Sequence, residues 1–140
     1  MFKREASSGS LEDYRYTSVR DHGLPLFRAA VDGIFAAEKL DAIVYPTAPR
    51  RPALLTAAPD TAPPGPTASA TNIANLTGFP DLIVPAGFTG DNLPVGISFF
   101  GPAFSEQKLL SLGYSFEQAT HARRRPVHAP VLEGEAISVP

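Results

Sequence analysis

The order of elements between Asp41 and Gln118 constrains the fold of this chain more than any other sequence feature. An apolar run is followed by a Pro-rich stretch, a helical pattern, two further apolar runs and a second helical pattern. Short apolar runs bounded by proline are typical of strands buried in a sheet. Strands interspersed with helices in this way predict an α/β unit.

Three strands are predicted, spanning Ala42–Tyr45, Leu82–Val84 and Val95–Phe100. Pro46 and Pro85 are expected to end the first two strands, because proline lacks the N–H that a sheet ladder needs. Gly90-Asp91-Asn92 supplies turn residues, so the last two strands are expected to form a hairpin-like pair. The first two strands are apolar at consecutive positions, which predicts helices on both faces of the sheet.

Three helices are predicted, spanning residues 25–40, 67–76 and 106–120. Pro25 fits the first turn of a helix, where its missing N–H has no helical partner. Gly78 suits the left-handed residue that ends a helix, and the Ser105 oxygen is expected to cap the last helix. The buried stripe of that helix is predicted to contain Leu109, Leu110, Leu112, Gly113 and Phe116.

Composition excludes several classes of protein. The formal charge is −2 and no cysteine is present, so no global field favours nucleic acid or an anionic membrane, and disulfides and thiolate metal sites are absent. The three histidines are too scattered to suggest a metal site. No apolar run approaches the roughly 20 residues of a transmembrane helix. Met1–Glu5 leads into Ser and Gly, unlike a secretory signal, so a cytoplasmic location is expected.

The chain is predicted to contain one domain at most. Residues 1–24 are expected to form a weakly ordered leader, residues 25–120 the α/β unit, and residues 121–140 an extended Pro-rich tail. Residues 50–66 are rich in Pro, Ala and Thr without periodicity, which predicts a long loop. Three strands and three helices cannot cover both faces and both edges of a sheet, so the unit is expected to be part of something larger.

Several blocks of sequence resemble the C-terminal end of the amidase-signature hydrolases. The blocks occur in the family's order, cover about 25–126, and lie at Asp41–Pro49, Asn72–Gly87, Leu93–Gly101 and Glu106–Glu117. The resemblance implies that the three strands belong to a larger mixed sheet. One departure is Ser98, at a position where many relatives carry glutamine.

The resemblance also implies a chemistry. The family hydrolyses a carboxamide to an acid and ammonia or an amine, without a metal or an organic cofactor. It uses a serine nucleophile, a second serine with a cis peptide bond and a lysine that takes the proton. A Gly-Ser-rich loop holds the serines and supplies backbone N–H groups as an oxyanion hole. Those elements lie upstream of the segment that matches here, so no catalytic residue is assigned to this chain. Whether the chain is itself an enzyme stays open.

Four residues are candidates for one wall of a substrate pocket. Pro46 and Thr47 follow a buried strand, at a place where α/β sheets tend to present ligand groups, although a strand-terminating turn is favoured. Asn72 and Asn75 lie one helical turn apart and face the same side. Local hydrogen bonding to the backbone is the favoured interpretation of these asparagines, and pocket contact is the alternative.

Other motifs are better explained without catalysis. The Ser7–Ser10 segment lacks the flanking glycines and the strand of a Gly-Ser loop, so a flexible leader is favoured. Ser105 and Lys108 fit a Ser-x-x-Lys pattern, but the companion motifs are missing and a helix cap explains Ser105. Ser98 lies within a strand, and Arg123–Arg125 is typical of a solvated end.

Two hypotheses from different classes follow. In the first, the chain is the C-terminal segment of an amidase-signature amide hydrolase and is inactive alone. In the second, it is a non-catalytic module that associates with itself or binds a partner. The partner is expected to be a second copy, joined through sheet edges, or a chain that carries the N-terminal half of the amidase, and neither nucleic acid nor membrane.

Overall fold

The computed structural model describes residues 9–48 and 71–125. The predicted loop at 50–66, the first residues of the predicted helix at 67–70 and the tail beyond 125 lie outside the described residues. In chain order the elements are α1 (Tyr14–Ser18), a π-helical turn (Val19–Gly23), α2 (Leu24–Glu38), β1 (Ile43–Pro46), α3 (Asn72–Thr77), β2 (Asp81–Phe88), β3 (Pro94–Phe100) and α4 (Glu106–Thr120). This order agrees with the predicted α/β unit.

The three strands form one antiparallel sheet in the order β1-β3-β2. Tyr45 and Ile83 flank Ser98 of the central strand, and Ile43 and Asp81 flank Phe100. Directly opposed residues of an antiparallel pair share a face, so this register determines which side chains meet. The hairpin-like pairing of the last two strands is confirmed.

A helix packs against each face of the sheet. Phe99 and Phe100 are consecutive in β3, so their side chains point to opposite faces. Phe100 packs with Val31 and Phe35 of α2, and with Phe79 after α3. On the other face, the core of the second cluster consists of Phe99, Val84 and Leu109 of α4. The prediction of helices on both sides is therefore confirmed for the described residues.

The prediction that Pro85 halts the second strand is wrong. β2 continues to Phe88, with an irregularity in the register between Pro85 and Gly87. β2 lies at the edge of the described sheet, where a missing N–H is tolerated, and the irregularity absorbs the distortion. Gly87 has φ 134°, a conformation that glycine adopts without steric cost.

Three apolar residues predicted to be buried are instead exposed in the described structure. Val44 is 50% exposed and Ile83 is 53% exposed, although each lies on a sheet face that a helix partly covers. Leu110 is 61% exposed, which corrects its place in the buried stripe of α4. One helix per face covers only part of a three-stranded sheet, so apolar surface remains uncovered on both sides.

The helix ends follow the predictions in part. Gly78 ends α3 with φ 69°, and its N–H donates to the Ala74 carbonyl at 2.7 Å, as predicted from the left-handed preference of glycine. The prediction that the Ser105 side chain caps the last helix is wrong. Ser105 is the N-cap of α4, but its Oγ makes no capping hydrogen bond and is buried without a partner in the described part of the chain.

The segment predicted as a leader contains a helical arm. Residues Tyr14–Gly23, named the arm below, lead directly into α2, so that helical backbone runs from Tyr14 to Glu38. Asp13 caps its start, since its Oδ1 accepts from the Arg15 N–H at 2.8 Å. No residue of the arm is buried. The predicted domain boundaries themselves stay a prediction.

Candidate functional site

Polar side chains from all three strands meet on the α2 side of the sheet. The Tyr45 hydroxyl donates to Asp81 Oδ2 at 2.5 Å, and Thr47 Oγ1 lies 2.9 Å from Ser98 Oγ. The register explains the grouping, because Tyr45 is directly opposite Ser98 and Asp81 is on the same face of β2. These four residues are named the polar quartet below.

The quartet combines three hydroxyl groups with one carboxylate. Burial, together with the hydrogen bond and the negative charge of Asp81, raises the pKa of Tyr45 to about 12. Tyr45 therefore stays a phenol into the alkaline range, above the pH at which an ordinary tyrosine side chain loses its proton. The quartet offers hydroxyl donors and a carboxylate acceptor, and that carboxylate is bonded to the Tyr45 phenol, whereas the Ser98 and Thr47 hydroxyls are bonded to each other.

One atom of the quartet has no partner among the described residues. Asp81 Oδ1 is buried and accepts no hydrogen bond from them, while Oδ2 receives the Tyr45 hydroxyl. A buried carboxylate oxygen without a donor costs about 1–3 kcal/mol. This part of the sheet face is therefore incompletely satisfied by the residues that the structure describes.

Of the predicted pocket residues, Thr47 is the one that the structure joins to other polar groups. Its Oγ1 contacts Ser98, and its N–H donates to the Gly96 carbonyl at 3.1 Å. Pro46 is the exposed last residue of β1, opposite Ile97. A Cβ on Gly96 would lie 3.2 Å from Thr47 Oγ1, so a larger residue there would crowd the Thr47 hydroxyl.

The two asparagines lie apart from this network. Asn72 and Asn75 are exposed on α3, which packs against α2. The Asn75 N–H donates to the Thr71 carbonyl at 3.2 Å as part of the helix. No hydrogen bond between residues of the described ranges joins either asparagine to Thr47.

The arrangement does not support a Ser-Lys pair. The Lys108 ammonium lies 3.1 Å from Asp41 Oδ1, and the Ser105 hydroxyl is buried against Gly101. Ser10 forms a local turn with Glu12, since its Oγ donates to the Glu12 carboxylate at 2.8 Å. Within residues 9–48 and 71–125, no three histidine, aspartate or glutamate side chains come together in a way that would hold a metal ion.

Tyr45 and Asp81 were not among the predicted site residues. Tyr45 was interpreted as part of an apolar strand, and Asp81 was assigned no role of its own. The sequence did contain a signal for the two residues themselves, because each carries a polar group next to an apolar strand segment, Ile43-Val44 for Tyr45 and Leu82–Val84 for Asp81. Their pairing depends on strand register, which joins residues 36 positions apart.

The family model described as "Amidase" matches residues 2–110, which is more than half of the chain. The chain belongs to the amidase family. Hydrolysis of amides is the general activity of this family, and the predicted resemblance is confirmed. The amidase match includes every strand of the sheet and all four residues of the polar quartet.

Two curated relatives support the same assignment. The glutamyl-tRNA(Gln) amidotransferase A subunit of Desulforudis audaxviator (strain MP104C) is 41% identical over 97 residues, which is 68% of this chain and 20% of the relative. The protein of the same name from Synechococcus sp. (strain JA-2-3B'a(2-13)) is 38% identical over 107 residues, covering 74% of this chain and 21% of the relative. The chain thus spans about a fifth of the length of these relatives.

Solved structures share the fold of this amidase-family chain. The native peptide amidase from Stenotrophomonas maltophilia matches with a TM-score of 0.67 and 32% identity, covering 86% of this chain and 23% of that chain. An amidase family protein from Bacillus anthracis matches with a TM-score of 0.64 at 23% identity, covering 87% and 20%. The three-stranded unit with its helices is therefore a recurring part of a larger amidase fold.

Among the described residues, no helix has the length and apolar character needed to cross a membrane.

Proposed function

We propose that this chain is the C-terminal segment of an amidase-signature amide hydrolase. Its role is to supply three strands of the sheet, the helices that cover them and one wall of the substrate pocket. The complete enzyme hydrolyses a carboxamide to an acid and ammonia or an amine. The observation that carries this proposal is the match to peptide amidase over 86% of this chain and 23% of that protein.

The segment is proposed to be inactive by itself. An amide hydrolase needs an activated nucleophile and preorganised donors for the oxyanion. Two serines close to the sheet do not meet that requirement: Ser98 is fully buried and bonded to Thr47, and Ser105 Oγ is buried with no hydrogen-bond partner among the described residues. The Lys108 ammonium is engaged with Asp41.

The polar quartet is proposed to form part of the pocket wall. Its support is Asp81 Oδ1, which has no partner among the described residues, and the half-buried Thr47 hydroxyl, both on the side of the sheet that carries α3. In this proposal Thr47 and Pro46 lie at the rim, and Asn72 and Asn75 face the substrate from α3. A chain that carries the N-terminal amidase half is the proposed partner, and it extends the sheet at the open edges of β1 and β2.

A chimera tests this function. This chain replaces the matching quarter of the Stenotrophomonas maltophilia peptide amidase, and release of ammonia from a peptide carboxamide is measured. We expect no turnover by this chain alone and clear turnover by the chimera. In the chimera, Thr47→Val is expected to lower kcat/KM roughly tenfold, the value of one hydrogen bond. Ser111→Ala, on the outer face of α4, is the matched control and is expected to leave kcat/KM unchanged.

Three outcomes contradict the proposal. Turnover by the isolated chain would show that it carries its own catalytic residues. A chimera that retains the circular dichroism spectrum of peptide amidase but not its activity would show that the segment does not build the pocket. Equal activity of the Thr47→Val and Ser111→Ala chimeras would remove Thr47 from the pocket wall.

A second candidate function is a self-associating, non-catalytic module. The observation that favours it is the amount of apolar side chain left uncovered, including Val44, Ile83 and Leu110. Surfaces of this kind mark association sites in proteins of known structure. The two functions differ in the chimera assay, because a purely structural module would not restore amide hydrolysis.

A further inference from the structure

The polar quartet forms a row of hydroxyl groups that ends on a carboxylate. The Thr47 hydroxyl lies 2.9 Å from the Ser98 hydroxyl, and Ser98 is directly opposite Tyr45 in the register of the sheet. The Tyr45 hydroxyl in turn lies 2.5 Å from Asp81 Oδ2. Such a row has a direction, because each hydroxyl group has one hydrogen to donate and a carboxylate only accepts.

Asp81 fixes the direction at the buried end of the row. Its carboxylate takes the single hydrogen of the Tyr45 hydroxyl, so the Tyr45 oxygen can only accept from its other neighbour. That neighbour is Ser98, which is fully buried. Burial and Asp81 raise the pKa of Tyr45, whereas the Ser98 hydroxyl acts to lower this pKa. A hydrogen bond lowers the pKa of an acid when it is donated to the oxygen that becomes charged, so Ser98 donates to Tyr45.

The outer end of the row is thereby fixed as well. Since the Ser98 hydrogen is donated to Tyr45, the Thr47 hydroxyl donates to Ser98. In the reverse arrangement Ser98 would donate to Thr47, and the Tyr45 oxygen would lose its donor. Hydrogen bonds aligned head to tail also strengthen one another where the local dielectric is low. The half-buried Thr47 oxygen therefore keeps its hydrogen on the inside and has lone pairs left to accept from outside.

Gly96 of the central strand allows Thr47 to occupy this position. The Thr47 N–H donates to the Gly96 carbonyl at 3.1 Å, which holds the Thr47 backbone against β3. A Cβ on Gly96 would lie 3.2 Å from Thr47 Oγ1, so the missing side chain leaves room for the hydroxyl to reach Ser98. The φ of Gly96 is not in the left-handed region, so its backbone conformation does not require glycine. Glycine inside a strand often marks such a close approach.

We propose that Thr47 accepts a hydrogen bond from the nitrogen of the scissile carboxamide, and that the rest of the polar quartet holds its hydroxyl in the accepting orientation. Thr47 has this role within the proposed function, on which the inference rests. The carboxamide N–H is the donor that every primary amide substrate of that reaction carries, whereas an ester of the same acid has no hydrogen at this position. The site therefore selects amides over esters.

An amide and an ester of one acid test this role in the peptide amidase chimera. The two substrates are a peptide carboxamide and the methyl ester of the same peptide, and kcat/KM is measured for each from release of the free acid. We expect Thr47→Val to lower the amide-to-ester ratio of kcat/KM about tenfold, because only the amide loses a hydrogen bond. Thr47→Ser keeps a hydroxyl and is expected to keep the ratio. Ser111→Ala, on the outer face of α4, is the matched control and is expected to leave the ratio unchanged.

Ser98→Ala tests the orientation of the Thr47 hydroxyl separately. Without the Ser98 oxygen, the Thr47 hydrogen has no inward acceptor and is free to point toward the substrate. We expect the amide-to-ester ratio to fall about threefold or more, although Thr47 itself is unchanged. A purely structural role of Ser98 would lower kcat/KM equally for both substrates and leave the ratio as it is. This variant also carries the test if Thr47→Val does not fold.

The outcomes separate this role of Thr47 from the proposed function. A folded chimera that hydrolyses neither substrate would refute the proposed function, and the role of Thr47 with it. A chimera that hydrolyses both, with one ratio shared by the unchanged segment and Thr47→Val, would leave the function standing and remove Thr47 from the carboxamide nitrogen. A ratio that falls in Thr47→Val but not in Ser98→Ala would overturn the orientation of the hydroxyl by the polar quartet.

Discussion

Phe100 is predicted to carry a large share of the folding free energy of the described unit. It is 1% exposed, and its ring centroid lies 5.7 Å from that of Phe35 and 6.1 Å from that of Phe79. Truncating a buried phenylalanine to alanine costs about 3–5 kcal/mol, including the cavity left behind. Domains of this size are stable by about 5–15 kcal/mol in total. Phe100→Ala is therefore expected to remove about a fifth or more of the stability.

Urea unfolding followed by far-ultraviolet circular dichroism measures this effect, since the chain has no tryptophan. With a slope of about 2 kcal/mol per molar urea, a loss of 4 kcal/mol lowers the midpoint by about 2 M. Phe104→Ala is the matched control, because Phe104 is the same residue type four positions later and is 93% exposed. Its change is expected to stay within about 0.5 kcal/mol.

The milder Phe100→Leu variant keeps the experiment readable if Phe100→Ala does not fold. It is expected to lose about 1–2 kcal/mol. Equal midpoints for the Phe100 and Phe104 variants, compared at one protein concentration, would refute the assignment of the core to the sheet face under α2.

Two further predictions concern backbone conformation and pH. Gly78→Ala places a Cβ at φ 69° and is expected to cost about 1 kcal/mol, measured as a lower melting temperature, whereas Gly90→Ala, in a turn with open space, is the control. An equal change at both glycines would count against the left-handed helix end. The pKa of Tyr45 is raised to about 12, above its usual value of about 10. The folded state then holds this proton more tightly than the unfolded state, so the stability it provides is present below pH 10 and lost between pH 10 and 12. Urea midpoints are expected to fall more steeply over that interval in the wild type than in Tyr45→Phe, and parallel curves would remove Tyr45 from the buried pair.

The predicted helices and strands were accurate where apolar periodicity coincided with proline, glycine or a capping residue at the element ends. Helix α2, predicted at 25–40, spans Leu24–Glu38, and the last helix ends at Thr120 as predicted. The errors occurred where the preference of a single residue was used without knowledge of its tertiary neighbours. Pro85 does not end β2, since an edge position and a register irregularity accommodate it. The Ser105 side chain turns inward toward Gly101 instead of capping α4.

The candidate site was less predictable than the elements. Thr47 was identified because it follows a buried strand, and the structure places its hydroxyl against Ser98. The pairing of Tyr45 with Asp81 could not be predicted from local sequence, because it joins two outer strands across the central one. The roles of Pro46, Asn72 and Asn75 stay predictions.

By itself, the sequence determined the type and order of the elements and the family to which the chain belongs. Those properties follow from residues close together in the chain: apolar spacing, proline and glycine at element ends, and ordered blocks of motif. Only the tertiary structure decided that the strands follow the order β1-β3-β2 and that Phe99 and Phe100 build opposite cores. It also decided that Leu26 and Ile34 of α2 and the whole arm are not buried by the other described residues. Register and coverage depend on contacts between residues distant in the chain, which a local pattern does not encode.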